Sequence, residues 1–283
     1  MTHAKSPDKT ARAARSAMPY QHAMRRAPKR LFHRHSRLAP AKTPAQRTEG
    51  EKRMASHAMY QFYTELLGFE PKIWRRFQVD STVTAAQLGY ILMALFEMQA
   101  CHPFYFDVPA LENFKTCVGE YIDNEVNARA MAMFQTHPER AHSRIELSKK
   151  DESAELNAQQ IQLKNVLDHE NERTTFVYDF KENWQVALVL EAIVESSEPG
   201  EKELPCVLEG EGYGIFEDCG GVKGLSKIVK AFRKRRGRLY RQYLRWTNRK
   251  ELDFDSFNAG EMNLRLKKLP RIFADIYEQE LNP

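Results

Sequence analysis

Two apolar segments separated by only three residues constrain the fold of this chain more than any other feature of its sequence. Residues 174–180 (TTFVYDF) and 184–193 (WQVALVLEAI) are rich in the aromatic and β-branched residues that strands prefer. Lys181, Glu182 and Asn183 join them, and Asn readily adopts the left-handed conformation that a short hairpin connection requires. The sequence therefore predicts an antiparallel hairpin.

Other segments repeat with the period of strands or helices. Alternating apolar residues predict strands at residues 60–66 and 73–79. A short aromatic strand is predicted at residues 104–108, and a short strand that runs into a turn at residues 161–167. Thr84 and Gln87 have the spacing of a capping box, and Leu88, Ile91 and Leu95 follow at helical spacing. Further amphipathic helices are predicted, in chain order, at residues 111–134 with a break, 222–232, 238–246, 261–269 and 271–281.

Two segments lack such periodicity. Residues 136–160 are polar and are predicted as a long exposed loop with little regular structure. Residues 205–221 contain five glycines and are predicted as a loop with unusual backbone dihedrals. Because strands precede helices instead of alternating strictly with them, we expect an α+β fold. It should contain an antiparallel sheet with a central hairpin, packed by several amphipathic helices.

Charge is divided unevenly along the chain. Residues 1–56 hold fourteen Lys or Arg and three Asp or Glu, a balance of +11, whereas the whole chain carries +5. We therefore predict that residues 1–57 are a disordered basic tail and that residues 58–283 form one domain. Three interpretations of the tail stay open: a basic arm that neutralises phosphates, a transit peptide, or a start codon assigned upstream of Met54 or Met59.

Composition excludes several classes of protein. Apolar stretches are too short to span a bilayer, and no segment has the order of a secretory signal. Four cysteines in 283 residues do not form a disulfide scaffold. We expect a cytoplasmic protein that does not enter a membrane and needs no cofactor.

Several short motifs resemble the Ri-plasmid ORF-three-like family. They are residues 60–62, residues 71–77 (PKIWRRF), Tyr178-Asp179-Phe180 with Trp184, Cys206, and residues 217–221 (EDCGG). The resemblance covers about residues 60–269 and implies a compact α+β domain without an established activity. Some members carry a TnpR-like, resolvase-style label. This chain departs from the family pattern at Lys181 and Glu182, and at Gly214, where the family often has a cysteine.

Recombinase chemistry has little support in the residues themselves. A serine resolvase needs a nucleophilic serine near clustered arginines, and the serines here lie in other settings. Tyr240 and Tyr243 lie among arginines, which meets the needs of a tyrosine recombinase only superficially.

Arg75 is unusual because it falls on the apolar face of a predicted strand. A charge on such a face must be paired, so we expect Arg75 to contact Asp179, Glu217 or Asp218. Together with Trp184, these residues are predicted to form either a structural ion pair or the wall of a ligand-binding cleft. The carboxylates would also suit acid–base catalysis or oxygen ligation of a metal.

The cysteines suggest a weaker metal hypothesis. Cys206 and Cys219, thirteen residues apart, could supply two thiolates, with His102 as a remote third ligand. Structural zinc usually takes ligands in tight pairs, which this chain lacks. The interpretation that we favour is two small buried thiols, and no metal site is predicted.

Residues 227–250 contain eleven Lys or Arg and no acidic residue. The predicted nucleic-acid-binding residues are Arg233, Lys234, Arg235, Arg236, Arg238, Arg241 and Arg245. Basic residues beside aromatic ones on a helix are typical of a surface that binds a phosphate backbone. The competing interpretation is a solvated helix whose charge is balanced by acids elsewhere.

The sequence thus favours a non-enzymatic binding protein from a mobile element that contacts DNA or RNA through basic segments. The alternative is a module that binds a protein partner or a small ligand in a cleft near Arg75 and Asp179. An enzyme that uses the same carboxylates, with or without a metal, is the least favoured of the three.

Overall fold

A computed structural model describes residues 58–118, 125–147, 156–195, 203–249 and 251–281. Its strands form one antiparallel seven-stranded sheet in the order β4-β3-β5-β6-β1-β2-β7. The strands are β1 (Ala58–Leu66), β2 (Trp74–Asp80), β3 (Phe104–Val108), β4 (Ser143–Glu146), β5 (Arg173–Tyr178), β6 (Trp184–Glu195) and β7 (Cys206–Glu211). The predicted tail lies outside the described residues.

Seven helices accompany this sheet in the described part of the chain. They are α1 (Ala85–Leu95), α2 (Ala110–Val118), α3 (Glu125–Thr136), α4 (Gly221–Lys234), α5 (Arg238–Thr247), α6 (Ala259–Leu266) and α7 (Leu269–Leu281). The predicted α+β class is confirmed. Among the described helices, none is both long enough and apolar enough to cross a membrane.

The predicted hairpin is formed by β5 and β6 near the centre of the sheet. Tyr178 pairs with Trp184, and β6 pairs on its other side with β1. Asp179 and Asn183 have φ angles of 54° and 55°, the left-handed conformation that the connection requires. Side chains from both strands, including Phe176 and Leu188, enter the common core.

Helix α1 is the most deeply buried helix of the described chain. Its predicted capping box is present, because Thr84 Oγ1 accepts from Gln87 N at 3.2 Å and Thr84 N donates to Gln87 Oε1 at 2.9 Å. The helix contacts α6 and α7. Tyr90 stacks on Tyr277 of α7 with ring centroids 5.7 Å apart, and Phe104 of β3 meets both rings edge-on.

Two sequence predictions of local structure were wrong, and a third, for residues 205–221, was wrong only where β7 forms. The unusual backbone dihedrals predicted there are present at Gly212, Gly214, Gly220 and Gly221. Residues 136–160 contain β4, an edge strand paired with β3, and residues 205–221 contain β7, an edge strand paired with β2. Only Ile145 in β4 and Val207 in β7 are buried, so neither strand shows a repeating apolar pattern. Residues 161–167 form a 3-10 turn (Leu163–Asn165) instead of a strand, and Leu163 and Leu167 are buried four residues apart.

Candidate functional site

Arg75 lies on the buried face of β2, as its position in the sequence pattern indicates, and its side chain is fully buried. The guanidinium group has five N–H donors, and each of them meets a backbone carbonyl oxygen. The acceptors are Leu95 O at 3.1 Å, Trp74 O at 2.7 Å, Glu211 O at 2.6 Å, Gly212 O at 2.8 Å and Tyr213 O at 2.9 Å.

The predicted ion pair between Arg75 and Asp179, Glu217 or Asp218 is therefore wrong. Carbonyl oxygens replace the carboxylate, because the turn after β7 and the end of α1 both present carbonyls that their own elements leave unpaired. The guanidinium carbon also lies 4.1 Å from the ring centre of Phe257 and 5.3 Å from that of Phe96. Burial lowers the pKa of Arg75 to about 9, which still leaves the group protonated at neutral pH.

The loop after β7 is held at both ends. At the start of the loop, Arg75 donates to the carbonyls of Gly212 and Tyr213. Further along, Ile215 N donates to Phe96 O at 3.0 Å, and Glu217 accepts from Gln99 N at 2.6 Å. Gly214, with a φ of 141°, lies so close to Phe96 O that a Cβ atom there would be 2.7 Å away. Arg75 and Glu217 thus organise the same loop without contacting each other.

Glu217 is buried and forms the centre of a polar cluster that reaches the surface at Cys101. Besides Gln99 N, its carboxylate accepts from the Tyr178 hydroxyl at 2.7 Å and from Cys101 Sγ at 2.9 Å. The Tyr178 hydroxyl in turn accepts from Cys101 N at 3.1 Å. Tyr178 is the last residue of β5 and pairs with Phe104 of β3. Because Cys101 lies three residues before Phe104, this register brings Cys101 close to Tyr178.

Burial, together with the hydrogen bonds and charge of Glu217, keeps the thiol and the phenol of this cluster protonated. Burial, followed by the hydrogen bond to Glu217, raises the pKa of the Cys101 thiol to about 12. Burial and then the Glu217 charge also raise the pKa of Tyr178 far above its usual range. Both groups therefore stay protonated at neutral pH and donate hydrogen bonds to the Glu217 carboxylate.

His102 lies between two carboxylates. Its Nε2 atom is 3.7 Å from Asp179 Oδ2 and 3.8 Å from Glu217 Oε2, and this buried nitrogen has no hydrogen-bond partner. The other carboxylate oxygen of Asp179 accepts from Lys181 N at 3.0 Å and Glu182 N at 3.3 Å, which holds the hairpin connection. Asp179 thus faces both the turn and His102.

The structure brings together only part of the site that the sequence predicts. Asp179 and Glu217 meet around His102, whereas Arg75 lies at the other end of the loop and Asp218 is exposed. Trp184 is fully buried, and its indole N–H donates to Glu182 Oε2 at 3.1 Å. The other carboxylate oxygen of Glu182 accepts from Gly220 N at 2.6 Å, so Trp184 is linked to the loop through Glu182.

Cys101, which was not predicted as a site residue, is the partner of His102. Sγ of Cys101, Nε2 of His102 and a carboxylate oxygen of Glu217 all lie within 4.8 Å of one another. Cys206 lies in β7, and Cys219 Sγ is placed 3.5 Å from Gly221 O. The sequence signal for this site is the adjacent pair Cys101-His102, which comes directly before the aromatic strand β3.

The basic residues predicted to bind nucleic acid are all exposed on or between α4 and α5. Arg233 forms an ion pair with Asp255 at 2.8 Å, and Arg235 lies 4.0 Å from Glu251. Within the described ranges, no carboxylate lies within 4.0 Å of the remaining five: Lys234, Arg236, Arg238, Arg241 and Arg245. Tyr240, Tyr243 and Trp246 turn towards the core instead.

The Arg75 guanidinium, its five carbonyl acceptors and the rings of Phe96 and Phe257 form the Arg75 clamp. A cleft of about 430 Å³ adjoins this clamp through Tyr213 and Phe257. Arg249, Arg265 and Glu97 also line it, and Arg265 donates to Glu97 at 2.8 Å. This cleft lies near Arg75, as one sequence hypothesis proposed, but Asp179 and Trp184 are not among the residues that line it.

The fold and the clustered motifs define an α+β protein built on one antiparallel seven-stranded sheet. Residues 58–261 match the plasmid pRiA4b ORF-3-like protein family, and the chain belongs to that family. Its fold is similar to the crystal structure of a protein of unknown function from Methanosarcina mazei Go1. The TM-score is 0.55 at 19% identity, with coverage of 72% of this chain and 97% of that one. No curated protein matches the chain.

Proposed function

We propose that this member of the pRiA4b ORF-3-like family binds the phosphate backbone of DNA or RNA through the outward surfaces of α4 and α5. The observation that carries the proposal is the set of exposed, largely unpaired Lys and Arg residues on these two helices. Exposed cations that lack acidic neighbours gain most from neutralising phosphates and releasing counterions.

The spacing of these residues supports a continuous basic surface. Lys223, Lys227, Lys230 and Lys234 follow one another at intervals of four, three and four residues along α4. Residues that recur at such intervals lie on one side of a helix. Arg238, Arg241 and Arg245 repeat the pattern on α5. Each helix therefore presents one stripe of positive charge.

The two helices are also held against each other. Phe232 of α4 and Tyr240 of α5 meet edge-on, with ring centroids 5.5 Å apart. Arg235 and Arg236 lie in the short connection between the stripes. Tyr240, Tyr243, Leu244 and Trp246 of α5 pack against the core, whereas Leu239 and the arginines of this helix are exposed. The arginine side chains therefore face solvent from a helix that is anchored to the fold.

Filter retention of the full chain on a double-stranded DNA oligonucleotide and a single-stranded RNA oligonucleotide, across a salt series, tests the proposal. The triple variant Arg238→Gln, Arg241→Gln, Arg245→Gln should bind at least about tenfold more weakly. Its slope of log K against log salt on DNA should fall by about 2–3. The matched control changes three exposed lysines elsewhere: Lys164→Gln, Lys181→Gln and Lys268→Gln.

Equal losses in the two triple variants would contradict a specific role of α5. A third variant, Arg25→Gln, Arg26→Gln, Arg30→Gln, removes the same charge from the basic N-terminal segment. If only that variant lost retention, binding would lie in the N-terminal segment and the helix surface would be rejected.

The cleft beside Arg75 supports a second candidate function, the binding of a small anionic ligand. Its volume lies in the range of small-molecule sites. Arg249 lines it beside the rings of Tyr213 and Phe257 and forms no ion pair with a described carboxylate, whereas Arg265 is paired with Glu97 and Glu261 also lines the cleft. A thermal-shift screen of anionic aromatic compounds on the parent chain and on Arg249→Gln tests it. A compound that stabilises the parent and not the variant would support this function.

A further inference from the structure

We propose that Cys101, His102 and Glu217 bind one divalent transition-metal cation of the Zn²⁺ class, with a water molecule as the fourth ligand. Cys101 binds as the thiolate, and its proton is released to solvent when the cation displaces it. The site is separate from the basic surface of α4 and α5, and it does not depend on nucleic-acid binding.

The positions of the three ligand atoms suit a small cation. Cys101 Sγ lies 2.9 Å and His102 Nε2 lies 3.8 Å from Glu217 Oε2. A tetrahedral zinc ion with bonds of about 2.0–2.3 Å keeps its ligand atoms roughly 3.3–3.7 Å apart. The three side chains therefore need only small movements to share one ion.

The unpartnered nitrogen of His102 independently indicates a ligand. Its Nε2 atom is buried and has no hydrogen-bond partner, which is uncommon for a buried polar atom. It is nevertheless aimed at Glu217 and Asp179, and its ring meets Tyr178 edge-on. A bound cation would accept the lone pair of this nitrogen and remove the cost of burying it unpaired.

The backbone around the ligands is already held in place. Cys101 N donates to the Tyr178 hydroxyl, and the carbonyl of His102 accepts from the Tyr277 hydroxyl. Glu217 is anchored by Gln99 N. Because neighbouring strands and α7 fix these three residues, ordering the site on cation binding should cost little conformational entropy.

The local charge also favours a cation. Asp179 and Glu217 are both buried and lie on either side of His102. Within the part of the chain that the structure describes, no lysine or arginine side chain forms a hydrogen bond or ion pair with either carboxylate. Buried carboxylates without a basic partner are stabilised by a metal ion.

The donor atoms select the kind of metal. A cysteine sulfur, an imidazole nitrogen and one carboxylate oxygen suit Zn²⁺ and its spectroscopic substitute Co²⁺, whereas Mg²⁺ and Ca²⁺ prefer oxygen ligands only. Cys101 is exposed and the His102 side chain is 26% exposed, so water reaches the site from one side. Three protein ligands and one water are typical of zinc sites that are open to a further ligand.

A second cluster provides an internal comparison. Asp168, His169 and Glu172 also place three ligand atoms close together. In this cluster, however, His169 Nδ1 already contacts Asp168 Oδ1 at 2.6 Å, and Glu172 accepts from two backbone N–H groups. No cysteine sulfur is present there. We therefore expect the two clusters to differ in metal binding.

Titration of the metal-free full chain with Co²⁺, followed in the near-ultraviolet and visible range, tests the proposal. We expect one equivalent to bind with a sulfur-to-cobalt charge-transfer band, and elemental analysis should find one Zn²⁺ per chain after incubation with zinc. Cys101→Ser should abolish the band and weaken binding at least about 10–100-fold. The matched control, Cys206→Ser, should keep both.

Two histidine variants test whether the cation binds at this cluster and not at the one around His169. His102→Ala should weaken binding as Cys101→Ser does, whereas His169→Ala should not. Cys101→Ser retains a hydroxyl that can donate to Glu217, and circular dichroism will show whether it folds. Absence of stoichiometric binding by the parent, or a charge-transfer band that survives Cys101→Ser, would overturn the proposal. The Arg238, Arg241 and Arg245 variant should bind Co²⁺ normally whether or not it binds nucleic acid.

Discussion

Arg75 and the arginines of α5 show two opposite uses of the same side chain. Arg75 is fully buried, and all five of its N–H donors meet carbonyl oxygens. Arg238, Arg241 and Arg245 are exposed, and none of them lies within ion-pair distance of a described carboxylate. Among these three side chains, Arg245 Nε donates one exposed hydrogen bond, to Arg241 O at 3.3 Å. The comparison teaches that the number of buried hydrogen-bond partners, more than charge, separates an arginine that stabilises a fold from one that is available to a ligand.

Replacing Arg75 should have the largest effect on stability. Arg75→Met would leave five buried or partly buried carbonyls without their donor, and we expect a loss of about 3–5 kcal/mol in the free energy of unfolding. Arg75→Lys should lose less because an ammonium group keeps three donors. Urea unfolding measures both, and a loss below about 1 kcal/mol for Arg75→Met would show that the clamp contributes little to the fold.

Crowding the clamp should have the next largest effect. Gly210 pairs with Arg75 across β2 and β7, and a Cβ atom there would lie 2.7 Å from Trp74 O and 2.8 Å from Arg75 Cδ. We expect Gly210→Ala to destabilise the chain by about 1–3 kcal/mol in urea unfolding. Gly260→Ala, at an exposed position of α6, is the control and should change stability by less than about 0.5 kcal/mol. Equal effects would remove the steric explanation.

Removing one ring from the clamp should have a smaller effect. Phe257 lies 4.1 Å from the guanidinium carbon of Arg75, and Phe257→Leu keeps apolar contact while losing the cation–π interaction. We expect a loss of about 1 kcal/mol in thermal or urea unfolding. If ring and guanidinium are coupled, Phe257→Leu should cost less in an Arg75→Lys background than in the parent. An equal cost in the two backgrounds would show that the cation–π contact contributes no measurable stability.

The exposed arginines should affect stability least. Arg241→Gln should change the free energy of unfolding by less than about 0.5 kcal/mol, since the side chain makes no ion pair within the described residues. The same change should lower the slope of log K against log salt for DNA by about 0.9. A loss of stability well above about 0.5 kcal/mol would show that Arg241, like Arg75, stabilises the fold. The distinction between buried Arg75 and the exposed arginines of α5 would then not hold.

Much of the fold could be predicted where apolar residues repeat over several turns or pleats. The hairpin of β5 and β6, the capping box of α1 and the bounds of β3 agree with the sequence prediction. The two edge strands could not be predicted, because each buries a single apolar side chain along the described chain. Edge strands have one pairing partner and leave no periodic pattern to detect.

The candidate site was predictable only in part. Asp179 and Glu217 were predicted as site residues, and both lie beside His102 in the structure. Arg75 was assigned the wrong partner, because a buried charge can be satisfied by carbonyls as well as by carboxylates. His102 was considered as a ligand with Cys206 and Cys219, while the structure places it with Cys101. Local spacing carries no information about which distant loop will fold against a given residue.

By itself, the sequence determined the α+β class, the central hairpin, the burial of Arg75 and the concentration of positive charge between residues 227 and 250. Only the tertiary structure decided that Cys101 meets Glu217, 116 residues away, and that Arg75 meets the carbonyl of Glu211, 136 residues away. The physical reason is that periodicity records which face of an element is buried, whereas the choice of polar partners depends on how separate elements pack.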